Sequence, residues 1–193
     1  FVENGRVVDD EQNELKTAFL EIAQLRKTNF RFTCNQNIIV ADVTDEDKSE
    51  IHAILDKYGV VESTERSTPL RRESIACVAF NTCALALAEA QRYLPGLISK
   101  IEPLLDKYGL QDDNISMRMT GCPNGCARPY AAEIAFIGTA YGYYNLQIGG
   151  DRTGTRLNKL YKESLNEEAI IAELDSLFKI YSGKREAGET FGD

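Results

Sequence analysis

The amino-acid sequence predicts an α+β chain of two units, a small sheet with helices on one side followed by a larger α/β unit. Three observations carry this expectation. Apolar residues recur near 3.6-residue spacing in several runs, and these runs are separated by short alternating or apolar stretches suited to strands. A polar, charged segment broken by Pro69 divides the chain and reads as a connection over 63–74, leaving units at 1–62 and 75–193. A length of 193 residues with 43% hydrophobic content is enough for one sizeable core or two small ones.

Taken in order, "FVENGRVV" reads as a strand. "NELKTAFLEIAQLRK" places Leu15, Phe19, Ile22 and Leu25 on one helical face. "NFRFTCNQNIIVADV" alternates and then turns apolar, as a buried strand pair would, and it carries Cys34 as a core residue. "TDEDKSEIHAILDKYGV" is a helix with Thr44 as N-cap, acids in its first turn and Gly59 as its stop; His52, the one histidine, reads as structural. The second unit opens with a helix around "CALALAEAQRYL", then another through "GLISKIEPLLDKYGL". Strands are expected at "ISMRM", "AEIAFIG" and "YYNLQIGG", where Tyr141, Tyr143 and Tyr144 read as packing residues. A helix through "NEEAIIAELDSLFKIYSGKRE" closes the unit, its acidic start and basic end matching the helix dipole.

The formal net charge of −8 opposes a nucleic-acid backbone, so no nucleic-acid partner is expected. No window holds eighteen consecutive apolar residues, so no membrane span is expected either. The chain opens on Phe1 within a strand-like run and ends on "GETFGD" without a polar tail, which reads as a piece of a longer chain. Five cysteines are an odd count in a chain too large for a disulfide-stapled miniprotein, and point to reduced thiols in a cytoplasmic compartment.

Four of those cysteines form two close pairs, Cys77 and Cys83 in "ACVAFNTCALA", Cys122 and Cys126 in "RMTGCPNGCARP". Structural zinc accepts four thiolates but favours tighter pairs. An iron–sulfur cluster also takes four thiolates, tolerates wider spacing and gains from backbone N–H groups aimed at its sulfurs. Gly121, Pro123 and Gly125 keep side chains clear of such donors. Spacing favours the cluster and leaves zinc open. "GGDRTGTR" lacks nucleotide-loop spacing and reads as a hairpin connection.

These two motifs, together with "YNLQIGGDRTGTRL", "REAGETFGD", "FVENGR" and "FRFTCNQN", resemble the C-terminal part of the sulfite reductase hemoproteins, within the family of siroheme and [4Fe–4S] sulfite and nitrite reductases. The resemblance runs essentially end to end. It implies that residues 1–62 are half of a ferredoxin-like sandwich and that 75–193 form the iron–sulfur and siroheme domain, the second pseudo-repeat of the family fold. It implies that Cys77, Cys83, Cys122 and Cys126 bind a [4Fe–4S] cluster and that Cys126 also bridges to the siroheme iron. It places Gln36 beside siroheme, with Arg31, Asn35 and Asn124 as further contacts. The eight siroheme carboxylates need donors and cations, and Arg71, Arg72, Arg118, Arg128, Arg152, Arg156 and Lys159 are the other basic residues near the motifs.

The implied activity is the six-electron reduction of sulfite to sulfide, in sulfate assimilation and cysteine biosynthesis. The implied partners are the N-terminal half of the same subunit, which carries the sulfite-binding cations, and a flavoprotein reductase subunit drawing on NADPH, or a ferredoxin, as electron donor. The fragment alone is expected to be inactive. A nitrite reductase fragment and a structural zinc module are the alternatives.

Overall fold

The computed structural model describes all of residues 1–193. The chain is α+β and divides into two compact units, Phe1–Ser67 and Thr68–Asp193. The break falls inside the segment read as a connection, and that segment is itself mostly helical.

In the first unit, helix α1 spans Leu15–Leu25, strands β1 and β2 span Asn29–Phe32 and Ile38–Ala41, and helices α2 and α3 span Lys48–Lys57 and Val60–Arg66. The strands form an antiparallel hairpin with Phe30 opposite Val40. Leu15, Ala18 and Ile22 of α1 meet Ile51 and Ile54 of α2, with Phe30, Ile38 and Val40 packed against them. Phe19 and Phe30 add a tilted ring pair at 5.4 Å. Asp47, rather than Thr44, is the residue before α2; the Thr44 hydroxyl accepts from the Asp47 N–H one turn earlier.

Three expectations fail in this unit. The opening segment is not a strand, because Asn4 and Gly5 take left-handed φ values of 49° and 71° and close a 3₁₀ turn over Glu3–Gly5. The hairpin is not buried: Phe32 is 84% exposed at its turn end, and Ile39, facing away from the helices, is 53% exposed. A two-stranded sheet has only one covered face. Cys34 is not a core residue but an exposed residue of the turn. There the Thr33 hydroxyl accepts from the N–H groups of Asn35 and Asn37, which ends the strand at Phe32. His52 lies on the exposed face of α2.

The second unit holds helix α4 (Pro69–Arg72), strand β3 (Ser74–Ala76), helix α5 (Leu94–Tyr108) and strands β4 (Met117–Thr120), β5 (Ile134–Ala140), β6 (Tyr143–Ile148) and β7 (Lys159–Leu165). Helix α6 (Glu167–Lys184) follows, capped by the Asn166 side chain accepting from the Ala169 N–H. One sheet runs β3-β4-β5-β6-β7, with β3, β4 and β5 parallel and the last two pairings antiparallel. One face of it, through Met117, Met119, Ile134, Phe136 and Leu146, packs with Leu97, Ile101 and Leu105 of α5 and Leu174 and Phe178 of α6.

The expected helix around Cys83–Leu94 does not form before α5. Its backbone N–H groups are committed elsewhere: Leu87 and Ala88 donate to the Gly121 carbonyl at 2.8 and 3.0 Å, and Gln91 donates to Cys77 O at 3.0 Å. A helix would need those donors for itself. Strands β3 and β7 were not expected, one being only three residues long and the other an exposed edge. Tyr144 packs in the core as expected, whereas Tyr141 is 79% exposed.

Candidate cluster-binding site

Parallel β3 and β4 lie side by side, with Ala76 opposite Met119. Each strand runs directly into a cysteine segment at its C-terminal end, the edge where parallel sheets place their sites. Cys77 follows β3, and its N–H continues the ladder to Met119 O at 3.1 Å. Cys122 comes two residues after β4. Two segments remote in sequence are thereby delivered to one edge.

The approach between them depends on small residues. A Cβ on Gly121 would stand 2.5 Å from Ala88 O and 2.8 Å from Ala79 Cβ, and one on Gly138 of β5 would stand 2.6 Å from Gly121 O. Only glycine lets the 77–90 loop lie on the end of β4 in this way. The Gly121 N–H then donates to Cys77 Sγ at 3.2 Å, the kind of backbone donor a cluster thiolate needs.

All five cysteines are free thiols. Burial pushes the Cys77 thiol up, the N–H groups of Gly121 and Ala79 pull it down, and Cys126 and Cys122 push it up again. The last two effects put Cys77 within electrostatic reach of both members of the other pair. Cys122 is buried, Cys77 and Cys83 half-buried and Cys126 exposed. No three Cys, His, Asp or Glu side chains are arranged around one common ion position. A cluster of four irons does not require its thiolates to share one centre.

The remaining candidates are distributed differently. Asn124 is exposed between Cys122 and Cys126. Gln36, Arg31 and Asn35 belong to the hairpin of the first unit. Arg31, Thr33 and Asn35 do not share one strand face, because β1 stops at Phe32. Arg31 is exposed and paired with Asp42 at 3.0 Å. Gln36 has φ 62° in the turn, its Cβ 3.2 Å from where a Gly5 Cβ would stand. Among the other cations, Arg71 pairs with Glu102, Arg152 with Glu73 and Arg156 with Asp193. In "GGDRTGTR" the Asp151 carboxylate accepts from both threonine hydroxyls and from the N–H groups of Thr155 and Arg156, so the loop folds around its own anion.

Against known proteins, residues 1–58 match the family model described as the nitrite/sulfite reductase ferredoxin-like half domain. Over all 193 residues the chain is 60% identical to the sulfite reductase [NADPH] hemoprotein beta-component of Leptospira biflexa, covering 35% of that protein. The chain matches the C-terminal part of sulfite reductase hemoproteins. Proteins of the same name from Staphylococcus carnosus and Geobacillus thermodenitrificans are 54% and 53% identical over the whole chain, which covers 34% of each. The chain therefore spans about a third of the length of the curated relatives it matches. The solved structure of the Mycobacterium tuberculosis NirA protein superposes with a TM-score of 0.70 at 25% identity, covering 91% of this chain and 34% of that one.

The sulfite reductase hemoproteins use siroheme and an iron–sulfur cluster. The residues here fit the cluster in kind: four free thiols, with the backbone N–H of Gly121, next to Cys122, already on the Cys77 sulfur. Sequence reasoning missed Gly138 and Asn158. A glycine within a strand signals close backbone approach, and that signal was available for Gly138. Nothing in the local pattern marked Asn158.

Proposed function

We propose that this chain is the cluster-binding part of a sulfite reductase hemoprotein, in which the complete subunit reduces sulfite to sulfide with six electrons. Cys77, Cys83, Cys122 and Cys126 would hold a [4Fe–4S] cluster, and Cys126 would also bind the siroheme iron. Gln36, Asn124, Arg31 and Asn35 are the siroheme contacts of this chain. The cations that grip sulfite come from the N-terminal part of the subunit. A flavoprotein subunit oxidising NADPH supplies the electrons.

The observation that carries the reading is geometric: parallel β3 and β4 end side by side, and the N–H of Gly121, the residue before Cys122, donates to Cys77 Sγ at 3.2 Å. When bound, the coupled cofactors store and pass electrons to the anion. The chain's own residues do the holding. The Gly121 N–H fixes the Cys77 sulfur, and the 2.8 and 3.0 Å bonds from Leu87 and Ala88 to Gly121 O tie the segment bearing Cys83 to the segment bearing Cys122. Exposed Cys126 leaves its sulfur accessible from the side away from the core, as a shared ligand requires.

The nitrite reading shares every one of these residues, and the matched family model covers both anions. Absorbance and metal analysis of the complete subunit, followed by turnover with sulfite and nitrite, test the proposal. A Soret band with an iron–sulfur shoulder and faster sulfite turnover are expected. Stoichiometric zinc without iron would sink the cluster, and preference for nitrite would move the assignment to the sister activity.

A further inference from the structure

Between Cys126 and β5 the chain crosses back over the sheet face opposite the hydrophobic core, making a 3₁₀ turn at Pro129–Ala131 on the way. The carbonyl groups of this return are held from below. Arg118 of β4, only 7% exposed, donates from Nη1 to Arg128 O at 2.9 Å. Asn158, just before β7 and also 7% exposed, donates from Nδ2 to Pro129 O at 2.7 Å and Ala132 O at 2.9 Å. The Asn158 N–H donates to Tyr130 O at 2.9 Å. Four carbonyls in a five-residue stretch are thus fixed by two buried residues.

The placement matters for Cys126. Residues 123–126 lie exposed or half-exposed, and Gly125 has φ 73°. Little within the motif itself restrains the last cysteine. The Arg128 N–H donates to Gly125 O at 2.8 Å, so the position of Arg128 is transmitted to the turn carrying Cys126. Arg118 belongs to the same strand that delivers Cys122. A rigid link therefore runs from β4 through Arg118 to Arg128 and Gly125, and sets Cys126 relative to Cys122.

We infer that Arg118 and Asn158 are positioning residues for Cys126: together they clamp the return segment so that one thiolate sits in register for both cluster and haem. The inference rests on the cluster reading proposed above. Loss of an outer-shell partner of this kind costs roughly 10–100-fold in metal affinity or activity. The position of the shared sulfur also governs coupling between the two centres, which global stability does not.

The test is made on the complete, cofactor-loaded subunit, comparing wild type, Arg118→Lys, Asn158→Ser and the core variant Phe178→Leu. Arg118→Lys keeps the charge but shortens the reach; Asn158→Ser keeps one small donor and breaks the two-carbonyl grip. The readouts are the magnetic coupling between cluster and haem per intact cluster, and the rate of iron loss to a chelator. Both clamp variants should lose much of the coupled signal and release iron about tenfold faster. Phe178→Leu should lose stability and keep the coupling. Should Arg118→Lys fail to accumulate, Asn158→Ser decides alone. Clamp variants with wild-type coupling, or a Phe178→Leu effect of the same kind, would overturn the clamp while leaving the cluster reading intact. A wild-type subunit with neither cofactor would overturn the reading and the clamp with it.

Discussion

Replacing Gly121 with alanine probes the junction on which the site depends. The new Cβ would stand 2.5 Å from Ala88 O and 2.8 Å from Ala79 Cβ, both parts of the opposing loop rather than flexible side-chain ends. Overpacking of this kind costs about 1–3 kcal/mol. Moving the loop away also stretches the two bonds into Gly121 O and the bond to Cys77 Sγ, and each conventional hydrogen bond is worth about 1 kcal/mol. A loss of about 3 kcal/mol is expected, and with a slope of about 2 kcal/mol/M the urea midpoint should fall by about 1.5 M. Every tyrosine except Tyr58 lies in the second unit, so near-ultraviolet circular dichroism of tyrosine follows that unit. Gly96→Ala is the matched control: exposed in α5 with no atom within 4 Å, it should gain about 0.5–1 kcal/mol from helix propensity. If Gly121→Ala unfolds at the wild-type midpoint, the close approach is not a constraint and the account of the junction is wrong.

Cys126→Ser in the complete subunit should abolish the coupled cluster–haem signature and sulfite turnover, because a serine hydroxyl is a harder and far less acidic donor to iron. Cys34→Ser, in an exposed turn, should leave both intact; equal behaviour of the two would remove Cys126 as the bridge. Tyr144→Phe should cost about 1 kcal/mol in thermal unfolding, since the buried hydroxyl donates to Glu89 O at 2.9 Å while the ring keeps its stacking on Tyr93. For Asp151, hydrogen bonds from Thr153 and Thr155 hold the carboxyl below its ordinary value of 3.8. Its contribution to stability is therefore present above the unfolded value and lost as pH falls through the lower, folded one. Amide shifts of Thr155 and Arg156 should titrate with a midpoint below 3.8; a midpoint at or above it would contradict the capped loop.

Long periodic segments were legible in the sequence. Helices α1, α2, α5 and α6 formed where apolar spacing and stop signals put them, and β4, β5 and β6 formed at apolar runs. What was misread lies where tertiary contacts override local preference. "CALALAEAQRYL" has helical composition, yet its N–H groups bond to Gly121 and Cys77 on neighbouring segments, which local periodicity does not reveal. "FVENGRVV" looks extended until Asn4 and Gly5 are seen as a left-handed turn, a signal the Asn–Gly dipeptide carried. Around the site, residue types were legible in the cysteine spacing and glycines. The clamp was not, since Asn158 lies 32 positions beyond Cys126 and reaches the return segment only through the pairing of β7 into the sheet.

The central claim is that four thiols of this chain hold one iron–sulfur cluster and that one of them is shared. Anomalous diffraction at the iron edge from crystals of the complete subunit tests it most directly. The account predicts four cluster irons, each against one sulfur of Cys77, Cys83, Cys122 and Cys126, and a fifth iron on the far side of the Cys126 sulfur. Zinc in place of iron, Cys34 among the ligands, or a fifth iron bound away from Cys126 would contradict it.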